Sequence, residues 1–263
     1  MKSRIIRSLL AIVLLVCIAY SVIQILNITS EYDKAEAIQS DMMVYKPPAP
    51  PDPRPQETTA PAETVQTAGT AETPPRTPIV NRSIIDAQQN VNSDIVGWLT
   101  IPGTRIDYLF VQTVDNDFYL HTDLNKNHAY AGTIFMDFRN NPAFSDFNTI
   151  LYGHHMKNGS MFKTLQNFQE TGFFSQWRTG TIYLPHRILT LEIFAYMVIT
   201  SDDAVIYTTQ PESADDFTAY VRRNARQYRE AELTETDKIV TLSTCGYEYE
   251  GARIVLLAKL SEE

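Results

Sequence analysis

Residues 239–260 read I-V-T-L-S-T-C-G-Y-E-Y-E-G-A-R-I-V-L-L-A-K-L. Two β-branched and apolar runs, 239–244 and 254–260, flank a polar loop carrying Gly246 and Gly251, the pattern of two strands joined as a hairpin. The first strand delivers Cys245 at its C-terminal end and Arg253 opens the second. Antiparallel pairing then sets a thiol and a guanidinium at the same end of a sheet. A permanent cation there has two uses: it lowers the thiol pKa, and it donates to an oxyanion forming on an attacked carbonyl. The spacing fits equally well a cysteine that fills the core and an arginine that faces solvent.

Working outward, runs of β-branched and aromatic residues bounded by Gly, Pro, Asn or Asp recur at 98–101, 133–138, 149–152, 180–184 and 189–200. Turns are expected at Pro102-Gly103 and Asn140-Asn141-Pro142. A short helical pattern opens at 83–86, and two more lie at 161–168 and 214–229. The last carries Phe217, Tyr220, Val221 and Tyr228 on or near one face. Strands interrupted by helices, with no βαβ rhythm and no internal repeat, predict a mainly β fold, a mainly antiparallel barrel with inserted helices. It occupies residues 83–263, about 180 residues, an ordinary single-domain size.

The N-terminal third is different. Residues 9–26, L-L-A-I-V-L-L-V-C-I-A-Y-S-V-I-Q-I-L, form an apolar run that as a helix at ~1.5 Å per residue nearly crosses a ~30 Å hydrocarbon core. Lys2, Arg4 and Arg7 precede it, and Glu31, Asp33 and Glu36 follow. Residues 1–27 therefore read as a basic cytoplasmic tip and a single-pass signal-anchor, with the rest of the chain outside the cell. A cleaved secretory signal is the alternative, but no small-x-small site follows and the run exceeds the ~7–15 residues of a signal-peptide core. Residues 28–82 read as an extracellular linker, and the stretch 27–45 either continues the helix or is more linker. From 46 to 78 the chain is rich in Pro, Thr, Ala and Glu and predicts a disordered, partly polyproline spacer. At ~3.1 Å per residue it has the reach to lift a domain tens of ångströms off the bilayer.

The chain has a formal net charge of -9, which argues against a nucleic-acid partner. It has two cysteines. Cys17 lies in the apolar run, so Cys245 stands alone in an exported domain with no partner for an intramolecular disulfide. Such a thiol is either buried and inert or kept because it reacts. Two of the five histidines, His154 and His155, follow Gly153 at the end of the 149–152 strand. Imidazole supplies a base titrating near neutrality for thiol chemistry. A solvated turn or half a metal site would use the same pair. No Cys-x-x-Cys or His-Glu-x-x-His accompanies it, so no metal or cofactor is expected. His121, His128 and His186 sit in polar loop contexts and read as surface residues.

Taken together, T-L-S-T-C at 241–245, Arg253 and I-L-Y-G-H-H at 150–155 resemble the sortases. V-Q-T-V-D-N-D-F-Y-L at 111–120, A-G-T-I-F-M-D-F-R-N at 131–140 and N-T-I-L-Y-G-H-H-M-K-N-G-S-M-F at 148–162 are similar to class B in particular, so the resemblance spans residues 84–260. It implies an eight-stranded β-barrel with a long helix between its sixth and seventh strands, which 214–229 fits. It also implies Cys245 as nucleophile, His154 rather than His155 as the acid–base and Arg253 at the oxyanion. Asn116, Leu120 and Ser243 match groove-lining positions. The 200–207 stretch matches a groove-wall loop more loosely, through Ile206 and Tyr207. Some class B members carry an acidic residue where this chain has Tyr247, so no carboxylate there orients His154. No pilin-type lid motif precedes the domain and no second span follows it, which argues against class C.

The implied reaction is cysteine transpeptidation. Secreted proteins bearing a C-terminal sorting motif are cleaved through a thioester and passed to an amine of peptidoglycan or a pilin, anchoring them at the cell surface. Arg253, with a backbone N–H near the cysteine, is expected to stabilise the oxyanion. A cysteine endopeptidase using water, or a non-catalytic binding module on a stalk, would share many of these features.

Overall fold

The computed structural model describes residues 2–48 and 79–262, so most of the 46–78 spacer lies outside the described residues. Strands β1 (Ile95–Thr100), β2 (Asp107–Val111), β3 (Ile134–Met136), β4 (Asn148–Tyr152), β5 (Thr179–Leu184), β6 (Arg187–Thr200), β7 (Gln227–Tyr228), β8 (Lys238–Cys245) and β9 (Ala252–Glu262) form one sheet. Its order is β5-β1-β2-β3-β4-β8-β9-β6-β7, and β5 pairs again with β6. That last pairing closes eight strands into a barrel and leaves the two-residue β7 as an appendage on β6. Closure removes the open edges that a sheet of this size would otherwise expose.

Most neighbours are antiparallel, as the hairpin patterns predict, but β2–β3 and β4–β8 are parallel. In the second, Asn148 faces Ile239 and Tyr152 faces Ser243. The barrel interior is filled by side chains such as Leu99, Phe110, Leu151, Phe162, Leu191 and Leu256, each 1% exposed or less. At ~1.5–3 kcal/mol per buried side chain, this layer dominates the favourable side of the fold. A second apolar cluster lies under helix α4 (Ala214–Asn224), built on Phe217, Val221 and Phe147, and a third under helix α2 (Arg82–Asn90), built on Trp98, Ile84 and Tyr119.

Three expectations are revised. The 214–229 helix ends at Asn224, because the following backbone pairs with β6 instead: Arg226 N donates to Tyr196 O and Arg229 N to Phe194 O. The 161–168 segment is a 3-10 helix, Phe162–Gln169, leading into the short helix α3 (Thr171–Gln176). The boundary between anchor and linker drawn at 27/28 falls inside one continuous helix, α1 (Lys2–Met42), followed by a 3-10 turn, Met43–Tyr45. The C-terminal part of α1 lies against the barrel. Met42 is buried, Glu36 pairs with Arg105 at 3.1 Å and Lys46 with Asp107 at 2.6 Å.

Candidate active site

Parallel pairing of β4 with β8 is what assembles the site. Both strands run in one direction, so both C-terminal ends emerge together: β4 continues into Gly153-His154 and β8 ends in Cys245. Across the antiparallel β8–β9 ladder, Cys245 lies directly opposite Arg253. Directly opposed residues share a face of the sheet, so thiol and guanidinium are cross-strand neighbours. Cys245, His154 and Arg253 all line one groove of ≈ 810 Å³.

His154 is fixed by a hydrogen bond on one side and close packing on the other. Its Nε2 lies 2.7 Å from the carbonyl oxygen of Leu120. A carbonyl only accepts, so Nε2 carries the proton and Nδ1 is the nitrogen left to exchange one. Burial holds the imidazole pKa below its ordinary value, partly opposed by the Leu120 hydrogen bond and reinforced by the His121 ring 6.3 Å away. Gly153 permits this placement, since a Cβ there would lie 2.4 Å from Ile134 Cδ1 and 2.9 Å from Phe162 Cγ. His155, by contrast, turns away from the groove. It is 7% exposed, meets Gln166 Oε1 at 3.2 Å and stands edge-on to Tyr247 at 4.8 Å.

Arg253 spends one donor on the adjacent Ala252 carbonyl at 3.1 Å. The N–H of Gly246 donates to Ala252 O at 2.8 Å. The backbone donor immediately after the cysteine is therefore committed to the hairpin.

The far wall of the groove is a polar network around Asp137, whose side chain is fully buried. Arg139 grips it through Nε and Nη2, both at 2.8 Å, Tyr152 OH donates at 2.9 Å and Asn116 Nδ2 at 3.1 Å. Burial raises the Asp137 pKa, but the bonds from Arg139 and Tyr152 together outweigh it and the carboxyl is held below its ordinary range. Arg139 Nη2 also donates to the Tyr207 carbonyl at 3.0 Å. Tyr207 hydrogen-bonds Ser243 Oγ at 2.8 Å and stacks on Tyr152 at 6.2 Å.

A sortase domain model matches residues 99–261. The chain belongs to the sortase family. Within it, the relatives are class B. The chain is 41% identical over 176 residues to sortase B of Listeria monocytogenes, covering 65% of this chain and 72% of that one. It is 32% identical over 185 residues to sortase B of Staphylococcus aureus, covering 68% and 75%. Among solved structures, sortase B from B. anthracis in complex with AAEK1 superposes with TM-score 0.69 at 28% identity, covering 89% of this chain and 100% of that one. The Staphylococcus aureus sortase B–substrate complex superposes with TM-score 0.64 at 31% identity, covering 70% and 86%.

In this class B sortase, Asn116, Leu120, Tyr207 and Ser243 all line the groove that holds Cys245. Ile206 does not: it is fully buried in the cluster under α4, and its carbonyl accepts from Asn148 Nδ2 at 2.9 Å. Leu120 contributes its backbone oxygen to His154 in addition to lining the groove. Sequence reasoning missed Asp137, Arg139 and Tyr152 as groove residues. The available signal was the D-F-R spacing at 137–139, an acid two positions before an arginine at a strand exit.

Proposed function

We propose that Cys245, His154 and Arg253 carry the transpeptidation, on a domain held outside the cell by α1. The register of β4, β8 and β9 supports this, because it gathers the three side chains at one groove. Cys245 gives its thiol proton to His154 Nδ1 as Sγ attacks the scissile carbonyl carbon of a sorting peptide, and the oxyanion meets the remaining donors of Arg253. The C–N bond then breaks, and the leaving amine takes its proton from His154 Nδ1, leaving a thioester. An incoming amine attacks the thioester and gives its proton back to His154. Collapse forms the new amide and expels the Cys245 thiolate, which takes the proton back from His154.

Asn116, Leu120, Tyr207 and Ser243 form the sorting-peptide groove in this reading. The acceptor is an amine of a peptidoglycan peptide or of a pilin. Sortase B has been solved with triglycine, and a Streptococcus pyogenes class B sortase is involved in pilus biogenesis. Among the described residues one helix, α1, is long and apolar enough to cross a membrane. Its basic N-terminal flank supports a cytoplasmic N-terminus.

The test is cleavage of a fluorogenic sorting-peptide library with and without triglycine. An amide product should form only with the amine present, and Cys245→Ala should be inactive. Retained activity in that variant, or a product distribution indifferent to the amine, would end the proposal. Replacing Arg253 by Ala should cost about 10²–10³-fold in kcat, the scale of one lost oxyanion donor.

A further inference from the structure

The apolar half of α1 is exposed along its length, at Leu10, Leu14, Tyr20, Leu26 and Ile28 among others. From Glu31 onward the same helix lies on the barrel. The Tyr32 ring meets Tyr130 edge-on at 6.5 Å, and farther along Glu36 pairs with Arg105, Gln39 Nε2 donates to Asp107 O, and Lys46 pairs with Asp107. These contacts fix which end of the barrel faces the apolar half. The 121–131 loop lies beside the start of the docked stretch, and the α2 end lies beside its finish. Lys46 and Asn81, whose N–H donates to Pro185 O, hold the described chain to the barrel on either side of residues 49–78.

The distances place the near end close to lipid. At ~1.5 Å per residue Tyr32 sits about 9 Å beyond Leu26 and about 6 Å beyond Ile28. The headgroup layer on each side of a ~30 Å core is about 5–8 Å deep. Tyr130, in contact with Tyr32, therefore stands at the level of that layer, and its side is open at 61% exposure. Tyr247, 73% exposed and two positions after Cys245, stands edge-on to His155, whose bridge partner Met161 shares a pocket wall with Ala35 and Ile38 of α1. It is held in place by its OH on the His155 carbonyl at 3.3 Å. The two exposed phenols thus stand on the docked side of the barrel, Tyr130 against α1 and Tyr247 on the loop that follows Cys245. Exposed tyrosines are the side chains that settle at a membrane–water boundary, ring toward the acyl region and hydroxyl toward water.

We propose that Tyr130 and Tyr247 seat in the headgroup layer of the bilayer that α1 spans, holding the β8–β9 loop that follows Cys245 at the lipid surface. This rests on α1 being the membrane span. It restricts the second substrate to amines presented at the bilayer surface. The attachment is made by neutral rings, so salt leaves it in place.

The test uses the full-length chain in vesicles of phosphatidylglycerol and phosphatidylcholine carrying a headgroup spin label. Tyr130→Trp and Tyr247→Trp are made separately, with His186→Trp at the exposed β5–β6 turn, near the far end of the docked stretch, as the reference. Fluorescence is read as the difference from the parent protein. Quenching at 130 and 247 should exceed that at 186 several-fold and persist at high salt. Protein that floats with the vesicles but is quenched equally at all three positions overturns the proposal and leaves the span intact. Protein that fails to float overturns both.

Discussion

Gly132 takes φ +57°, and a Cβ there would come within 2.5 Å of Leu120 O and 2.7 Å of Tyr119 O. The Leu120 oxygen is the one that holds His154, so the glycine reaches the proposed proton-transfer group through a single carbonyl. Gly132→Ala is expected to cost about 1–3 kcal/mol in stability from backbone strain. It should also lower kcat more than it changes KM, which steady-state kinetics on the sorting peptide will show. Tyr207→Phe is a subtler change. It deletes the bond to Ser243 Oγ while keeping the ring on Tyr152, and should cost about 1 kcal/mol by urea denaturation. The two imidazoles at the β4 end add a pH dependence. Burial holds both His154 and His155 below their ordinary value, so between the folded and unfolded pKa the unfolded chain binds more protons. Their contribution is full above the ordinary histidine value of about 6.5 and is lost as pH falls through the depressed one. The urea midpoint should fall on acidification through that window, less steeply in His155→Asn.

At the scale of elements, α4 shows how local rules and tertiary pairing divide a segment. Its start is encoded locally: Ser213 Oγ accepts from Asp216 N at 3.2 Å, and Asp215 and Asp216 occupy the first turn. Ser213→Ala should lower stability by about 1 kcal/mol, measured by thermal unfolding. Its end is not encoded that way. Tyr228 continues the helical face in the sequence, yet the backbone from Arg226 pairs with β6 because an edge there needs a partner. Strands were legible for the reason that they are β-branched and bounded by turn residues, as at 239–244. β2 was passed over because a five-residue run buried along nearly its whole length shows no alternation. The Cys245–Arg253 pairing was legible, since a hairpin is local. The β4–β8 pairing was not, because no periodicity in either strand names its partner. The Asp137 network was hidden for the same reason: its members Asn116, Tyr152 and Arg139 come from three separate segments.

For the whole molecule, the docked part of α1 changes the role of the sequence between 28 and 82. Ion pairs and apolar contacts both hold it, and their magnitudes differ. The Glu36–Arg105 and Lys46–Asp107 pairs are partly exposed and worth ~0–1 kcal/mol each. Burial of Met42, 8% exposed, contributes about 1.5–3 kcal/mol. Amide hydrogen exchange over residues 31–46 should therefore rise sharply in Met42→Ser and only slightly at high salt. The apolar run was legible as a membrane helix candidate, but its docking was not, because Ile38, Met42 and Tyr45 look like any scattered apolar residues until the α2 end of the barrel is in place.

The parallel β4–β8 pair also has a temporal consequence. Asn148 and Thr241, hydrogen-bonded at 2.8 Å, are 93 positions apart in the chain. Closing a loop of that length is slow relative to forming local turns. A chain emerging N-terminus first has its imidazole out before its thiol, and the two remain apart until the penultimate strand docks. In the proposed mechanism, Cys245 therefore meets His154 only once β8 has docked on β4, late in folding.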